Sequence, residues 1–61
     1  MATSQDKWDI YEAYCEDIKN HGRPNWERIA QTIPQIDLAH RTMRRYAREL
    51  SEIYGDPTEE G

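Results

Sequence analysis

Apolar side chains recur along this chain at the three- and four-residue intervals of an α-helix, in three runs separated by helix-breaking residues. In the first run Trp8, Tyr11, Cys15 and Ile18 follow an i, i+3, i+7, i+10 pattern, and Ile10 and Tyr14 widen the apolar face. Ser4 or Asp6 is suited to cap this helix. Acidic residues in its first turn suit the helix dipole, and Gly22, at the end of Asn20-His21-Gly22, is a good stop. The second run begins at Asn25, a strong N-cap, and places Trp26, Ile29, Ala30 and Ile33 at i, i+3, i+4 and i+7. Pro34 cannot donate the next helical hydrogen bond and closes the run. A third helix is expected from an Asp37 cap to about Tyr54, where Gly55 and Pro57 mark its end.

Between the last two runs lies only Pro34-Gln35-Ile36, a turn short enough to force a steep crossing. With the first helix covering the apolar faces of the other two, the expectation is an all-α, three-helix bundle containing a helix-turn-helix. No strand pattern or internal repeat competes with it. The chain divides into a disordered N-terminus at 1–5, a helical domain at 6–54 and an acidic tail or linker at 55–61. A domain this small buries roughly 60% of the surface of its unfolded chain. Its net stability is then about 3–5 kcal/mol. Trp8, Trp26 and Tyr46 are the expected aromatic core. Tyr11, Tyr14 and Tyr54 cannot all be buried as well, so an exposed aromatic patch between Tyr14 and Tyr54 is a candidate protein contact.

Charge changes this picture. Arg41, Arg44, Arg45 and Arg48 stand at i, i+3, i+4 and i+7, which puts them on one helical face, with Ala39, Met43, Tyr46, Leu50 and Ile53 opposite. The formal net charge is -4, yet it is segregated: residues 1–22 carry -3, residues 23–48 carry +4 and residues 49–61 carry -5. A basic run kept for solubility would hold acids at i, i+4, but none lies between Asp37 and Glu49. The guanidinium fork grips either a guanine edge or a phosphate. Arg23 and Arg28, near the second helix, are further candidates for phosphate contacts.

Trp8, Trp26 and Tyr46 are 18 and 20 residues apart, and His21-Gly22-Arg23-Pro24-Asn25-Trp26-Glu27-Arg28-Ile29-Ala30 leads into the second helix with a Gly, then a Trp, then an Ile-Ala pair. In His40-Arg41-Thr42-Met43-Arg44-Arg45-Tyr46 a basic run precedes the last aromatic. Over residues 8–53 the chain thus resembles a Myb/SANT repeat, a three-helix fold of the homeodomain-like kind. Tyr46 stands where the third Trp is usual, and Asp9-Ile10 follows Trp8 in place of the familiar Ser/Thr and acidic pair. The resemblance implies that the third helix enters the major groove of double-stranded DNA. His40, Arg41, Arg44 and Arg48 would then face the bases, with Arg45 beside them for phosphate. It also implies a role in transcription or genome maintenance. The SANT branch of the same fold binds histone tails and other proteins. The alternative is therefore a protein-interaction module in which Asp9, Glu12, Glu16 and Asp17 receive a basic segment, in keeping with an isoelectric point near 5.0.

Other chemistries find little material. Cys15 is the single cysteine, so neither an intrachain disulfide nor a thiolate cluster for zinc can form, and it is expected as a buried apolar residue. His21 and His40 have no second ligand at metal-binding spacing, so no metal and no cofactor is expected. Without a glycine-rich phosphate loop or a nucleophile with its base, the chain is not expected to be an enzyme. No stretch approaches the ~18 apolar residues of a membrane span, and Met1–Gln5 lack the marks of a leader. The expectation is a soluble intracellular protein, nuclear in a eukaryote and otherwise cytoplasmic. Its partners would be double-stranded DNA and, because one small module neutralises few phosphates, a second copy or a partner protein.

Overall fold

Each helix of this protein donates one large, fully buried side chain to a shared centre: Ile10, Ile29 and Met43. The structure is a computed structural model and describes residues 3–57. In it α1 spans Ser4–His21, α2 spans Trp26–Thr32 and α3 spans His40–Tyr54. No strand occurs among the described residues, and none of their helices is long and apolar enough to cross a membrane. Ile33 and Ala47 complete the buried cluster, and Ala13, Tyr14, Trp26, Ala30, Ile36, Leu38 and Tyr46 pack around it half-buried.

The helix ends follow local chemistry, with two corrections. Thr3, rather than Ser4 or Asp6, caps α1. Its hydroxyl accepts from the Asp6 amide at 3.1 Å, and the Asp6 carboxylate accepts from the Thr3 amide at 3.2 Å, a reciprocal capping box. Of the expected disordered segment 1–5, residues 3–5 therefore belong to the cap and first turn, and residues 1–2 lie outside the described residues. Gly22 ends α1 in the left-handed conformation at φ 85°, where its amide reaches the Ile18 carbonyl at 2.7 Å. Asn25 caps α2 as its sequence suggests, accepting from the Arg28 amide at 3.2 Å.

The second correction concerns α3. Its N-cap is Ala39, which offers no side-chain acceptor, and Asp37 is an exposed linker residue. The α2–α3 connection thus runs over the seven residues 33–39, more than twice the expected turn. The reason is burial: Ile36 and Leu38 both pack against the core. A helix started at Asp37 would replace the non-helical path of residues 36–39, along which these two side chains reach inward. The acidic tail expected at 55–61 is described only through Pro57, and residues 58–61 lie outside the described residues.

Two helical faces are also turned from their expected positions. In α1 the buried positions are Ile10, Tyr11, Asp17 and Ile18. At ~100° per residue this face centres near Ile10 and Tyr14, and Trp8 lies about 160° away from Ile10. Trp8 is 38% exposed and so is no core residue, and Cys15 is half-buried. In α3 the buried line is Met43, Ala47 and Ser51, flanked by half-buried Tyr46 and Leu50; Ala39 and Ile53 are exposed. Small residues at 47 and 51 suit the close approach of α1, which shares its largest interface with α3.

Replacing Ile29 by Ala should remove about 2–5 kcal/mol, comparable with the net stability of so small a domain, and so abolish the cooperative thermal transition followed by circular dichroism. Trp8→Ala should leave that transition in place at a modestly lower temperature. A cooperative melt in Ile29→Ala would contradict the core described.

Candidate nucleic-acid interface

The outward side of α3 carries no structural attachment. Arg41, Arg44, Arg45 and Arg48 are all exposed, and these four side chains alone line one shallow groove. Their period places them there: with Met43, Ala47 and Ser51 turned inward, positions 41, 45 and 48 point away from α1 and α2. His40 is exposed at the first position of the helix, one turn before Arg44. Arg44 and Arg48 also border a second groove, lined as well by Tyr14, Pro24, Trp26, Ala47 and Asp56. The basic face therefore continues toward the loop that enters α2. Arg23 is exposed in that loop.

Among the described residues, none of the four arginines is in a salt bridge. Glu49, one turn after Arg45, pairs with Lys7 of α1 at 3.7 Å instead. Lys7 Nζ also lies 5.0 Å from the centre of the Tyr46 ring. The acidic side chain nearest to the arginines in sequence is thus drawn to another partner.

Arg28 has a different task from its four counterparts. It donates two hydrogen bonds to the Asp17 carboxylate, Nε to Oδ1 at 2.6 Å and Nη2 to Oδ2 at 2.8 Å. Nη2 also reaches the Arg23 carbonyl at 3.4 Å. Asp17 Oδ2 accepts a further bond from the Asn25 amide at 3.1 Å. The buried carboxylate thereby fastens α1 to the cap of α2. The fork of Arg28, a candidate for phosphate contact, is occupied by this pairing. Asp17 is likewise withdrawn from the α1 acidic surface, which retains exposed Glu12 and Glu16 and half-buried Asp9. Sequence reasoning missed this clasp, although it had a signal: Asp17 lies one residue before Ile18 and seven after Ile10, on the core face, where a carboxylate requires a donor.

The far end of α3 is fastened by tyrosines of the same helix α1. Tyr11 donates its hydroxyl to the Gly55 carbonyl at 2.6 Å, and Tyr14 donates to Asp56 Oδ1 at 3.2 Å. Burial, reinforced by its hydrogen bond with Cys15, pushes the Tyr11 phenol up to about 12. Burial also raises the Cys15 thiol, which suits a packed rather than a reactive cysteine.

No protein-family model, curated protein or solved structure matches this chain, and the Myb/SANT resemblance rests on the residues that carry it.

The Asp17 clasp has a pH signature. The Arg28 hydrogen bonds hold the Asp17 carboxyl below the usual carboxylate range, and the Asn25 amide adds to them against the desolvation of burial. Unfolded, the group titrates near ~3.9. A carboxyl whose folded value is lowered stabilises the fold above its unfolded value and loses that contribution as pH falls through the folded one. Asp17→Asn should therefore lower stability by about 2 kcal/mol at neutral pH. The difference from the parent chain, read by urea unfolding, should shrink progressively below about pH 4. A pH-independent difference would show that Asp17 acts without its charge.

Proposed function

We propose that this chain is a DNA-binding module of helix-turn-helix type that lays the first half of α3 in the major groove, as expected of a transcription or genome-maintenance regulator. The observation that carries the reading is the groove lined by four exposed arginines with no acidic partner among the described residues. Desolvating four like charges against a neutral surface is unfavourable, so such a face suits a polyanion. Dimensions agree. From Arg41 to Arg48 the helix rises about 10 Å, at ~1.5 Å per residue. The major groove is about 12 Å wide. Arg41, Arg44 and Arg48, with His40 at the helix start, are the candidates for base edges, and Arg45 for phosphate.

The sign of the helix surface changes after Arg48. Glu49 and Glu52 follow, both exposed, so a duplex would meet the helix along residues 40–48 and part from it beyond. Helix-turn-helix modules use their recognition helix in this way, with its N-terminal residues toward the bases. The seven-residue connection to α2 is longer than the tight turn of that motif. It changes how α2 supports α3 but leaves the arginine face intact. The alternative, a SANT-like module receiving a basic segment on the α1 acids, is weakened by the engagement of Asp17 with Arg28.

Binding should be weak and steeply salt-dependent. On a duplex of mixed sequence, which offers no selected base pattern, all four arginines would rest against phosphates, and log K against log salt should fall with a slope of about -3 to -4. Arg44→Ala and Arg48→Ala should each bring that slope about one unit nearer zero and leave the melting temperature unchanged, since both side chains are exposed. Fluorescence anisotropy of a labelled mixed-sequence duplex reads the slope. No duplex binding at low salt, or unaltered binding by the variants, would overturn the reading.

A further inference from the structure

A second surface lies at the C-terminal end of α3 and meets the arginine row only at Arg48. Trp8 is 38% exposed, Tyr54 59% and Ile53 66%, and these are the large apolar side chains that the described structure leaves open to water. Trp8 and Tyr54 meet edge to face, with ring centres 5.1 Å apart. Both rest on buried Tyr11, whose ring centre is 5.7 Å from that of Trp8 and 6.1 Å from that of Tyr54. The Tyr11 hydroxyl bonds the Gly55 carbonyl and so fixes the end of α3 beneath them. Ile53 and Tyr54 line one groove together with Glu52, Gly55, Asp56, buried Ser51 and, on the side of the arginine row, Arg48. The aromatics are thus held in place before anything binds, which lowers the entropy lost on association. Exposed, rigid tryptophan and tyrosine are the usual anchors of protein interfaces.

The rim decides what kind of partner fits. Glu52 and Asp56 border the groove, Glu12 stands one turn after Trp8, and Glu49 one turn before Ile53. Lys7 is already paired with Glu49, and the two acids Glu52 and Asp56 outnumber Arg48, the cation that lines the groove. A second copy docking through the same patch would bring these like charges together across a two-fold axis, which is unfavourable. We infer that the Trp8–Ile53–Tyr54 surface docks a segment of a partner protein that presents a large apolar side chain flanked by lysine or arginine. Such docking would leave Arg41, Arg44 and Arg45 open and would meet the arginine face only at Arg48.

The probe is a synthetic amphipathic peptide of leucine and lysine at helical spacing, with its glutamate-for-lysine counterpart as control. Added to the isotope-labelled chain, the lysine peptide should bind saturably and shift the Trp8 indole N–H and the amides of Ile53 and Tyr54; the glutamate peptide should not. Ile53→Ser and Glu52→Gln together should weaken that binding at least tenfold without lowering the melting temperature, because both side chains are exposed. Three results overturn the inference: no saturable binding, shifts confined to Glu12 and Glu16 with affinity unchanged in the double variant, or dilution-dependent self-association through the patch, which would make a second copy its occupant. The same double variant should bind the duplex as the parent chain does. Loss of duplex binding by the parent chain would remove the DNA reading and leave this one standing.

Discussion

A buried carboxylate on the core face of α1 sets the arrangement of the whole domain. Asp17 can be tolerated there because it accepts two hydrogen bonds from the Arg28 fork and one from the Asn25 amide. Those bonds hold the start of α2. At seven residues that helix is too short to persist without tertiary support. Two turns earlier on α1, Tyr11 bonds the far end of α3, and Tyr14 bonds Asp56 just beyond it. One helix therefore carries the fastenings of the other two. The outer side of α3 is relieved of structural duty, and its arginines are free to meet a ligand.

Much of this was legible wherever one local rule acted alone. Gly22, Asn25 and Pro34 punctuate the chain where helix-ending and capping chemistry places them. The arginine row was legible as well, since its spacing survives any small error in helix boundary. Reading failed where two rules competed. Asp37 is a good cap by type, yet Ile36 and Leu38 beside it gain more from reaching the core than the helix gains from an earlier start. Trp8 is large and apolar, but the face of α1 is chosen by Ile10 and Ala13 together with Tyr14, and a tryptophan near the end of a long helix is covered in part by Tyr11 and Tyr54. That arginines so alike in type should divide into a clasp and a free row depends on the position of Asp17, which sequence spacing alone does not reveal.

The acidic total of the chain takes on a different meaning once its charges are located. Asp17 and Glu49 are occupied by Arg28 and Lys7, and Glu52 and Asp56 gather around the end of α3. The negative charge is therefore not spread as a general screen over the arginines. It lies on α1 and at one pole of the domain, and the positive charge lies along residues 40–48 of α3. A duplex approaching the basic side would meet Arg41, Arg44 and Arg45 first, while Asp56 and Glu52, which share grooves with Arg48, oppose it toward the end of the helix within a Debye length of about 10 Å at moderate salt. The acidic pole would disfavour other orientations, and that orients a weak binder without adding contacts.

The central claim is that the exposed face of residues 40–48 of α3 meets DNA, held out by an α1 packed behind its buried face. Backbone amide shifts recorded during titration with a short mixed-sequence duplex at low salt test this most directly. The account predicts progressive, saturable changes clustered in residues 40–48 and at Arg23 and Asn25 in the loop beside them, with the α1 amides unmoved. Shifts confined to residues 4–21, or none at all, would contradict it.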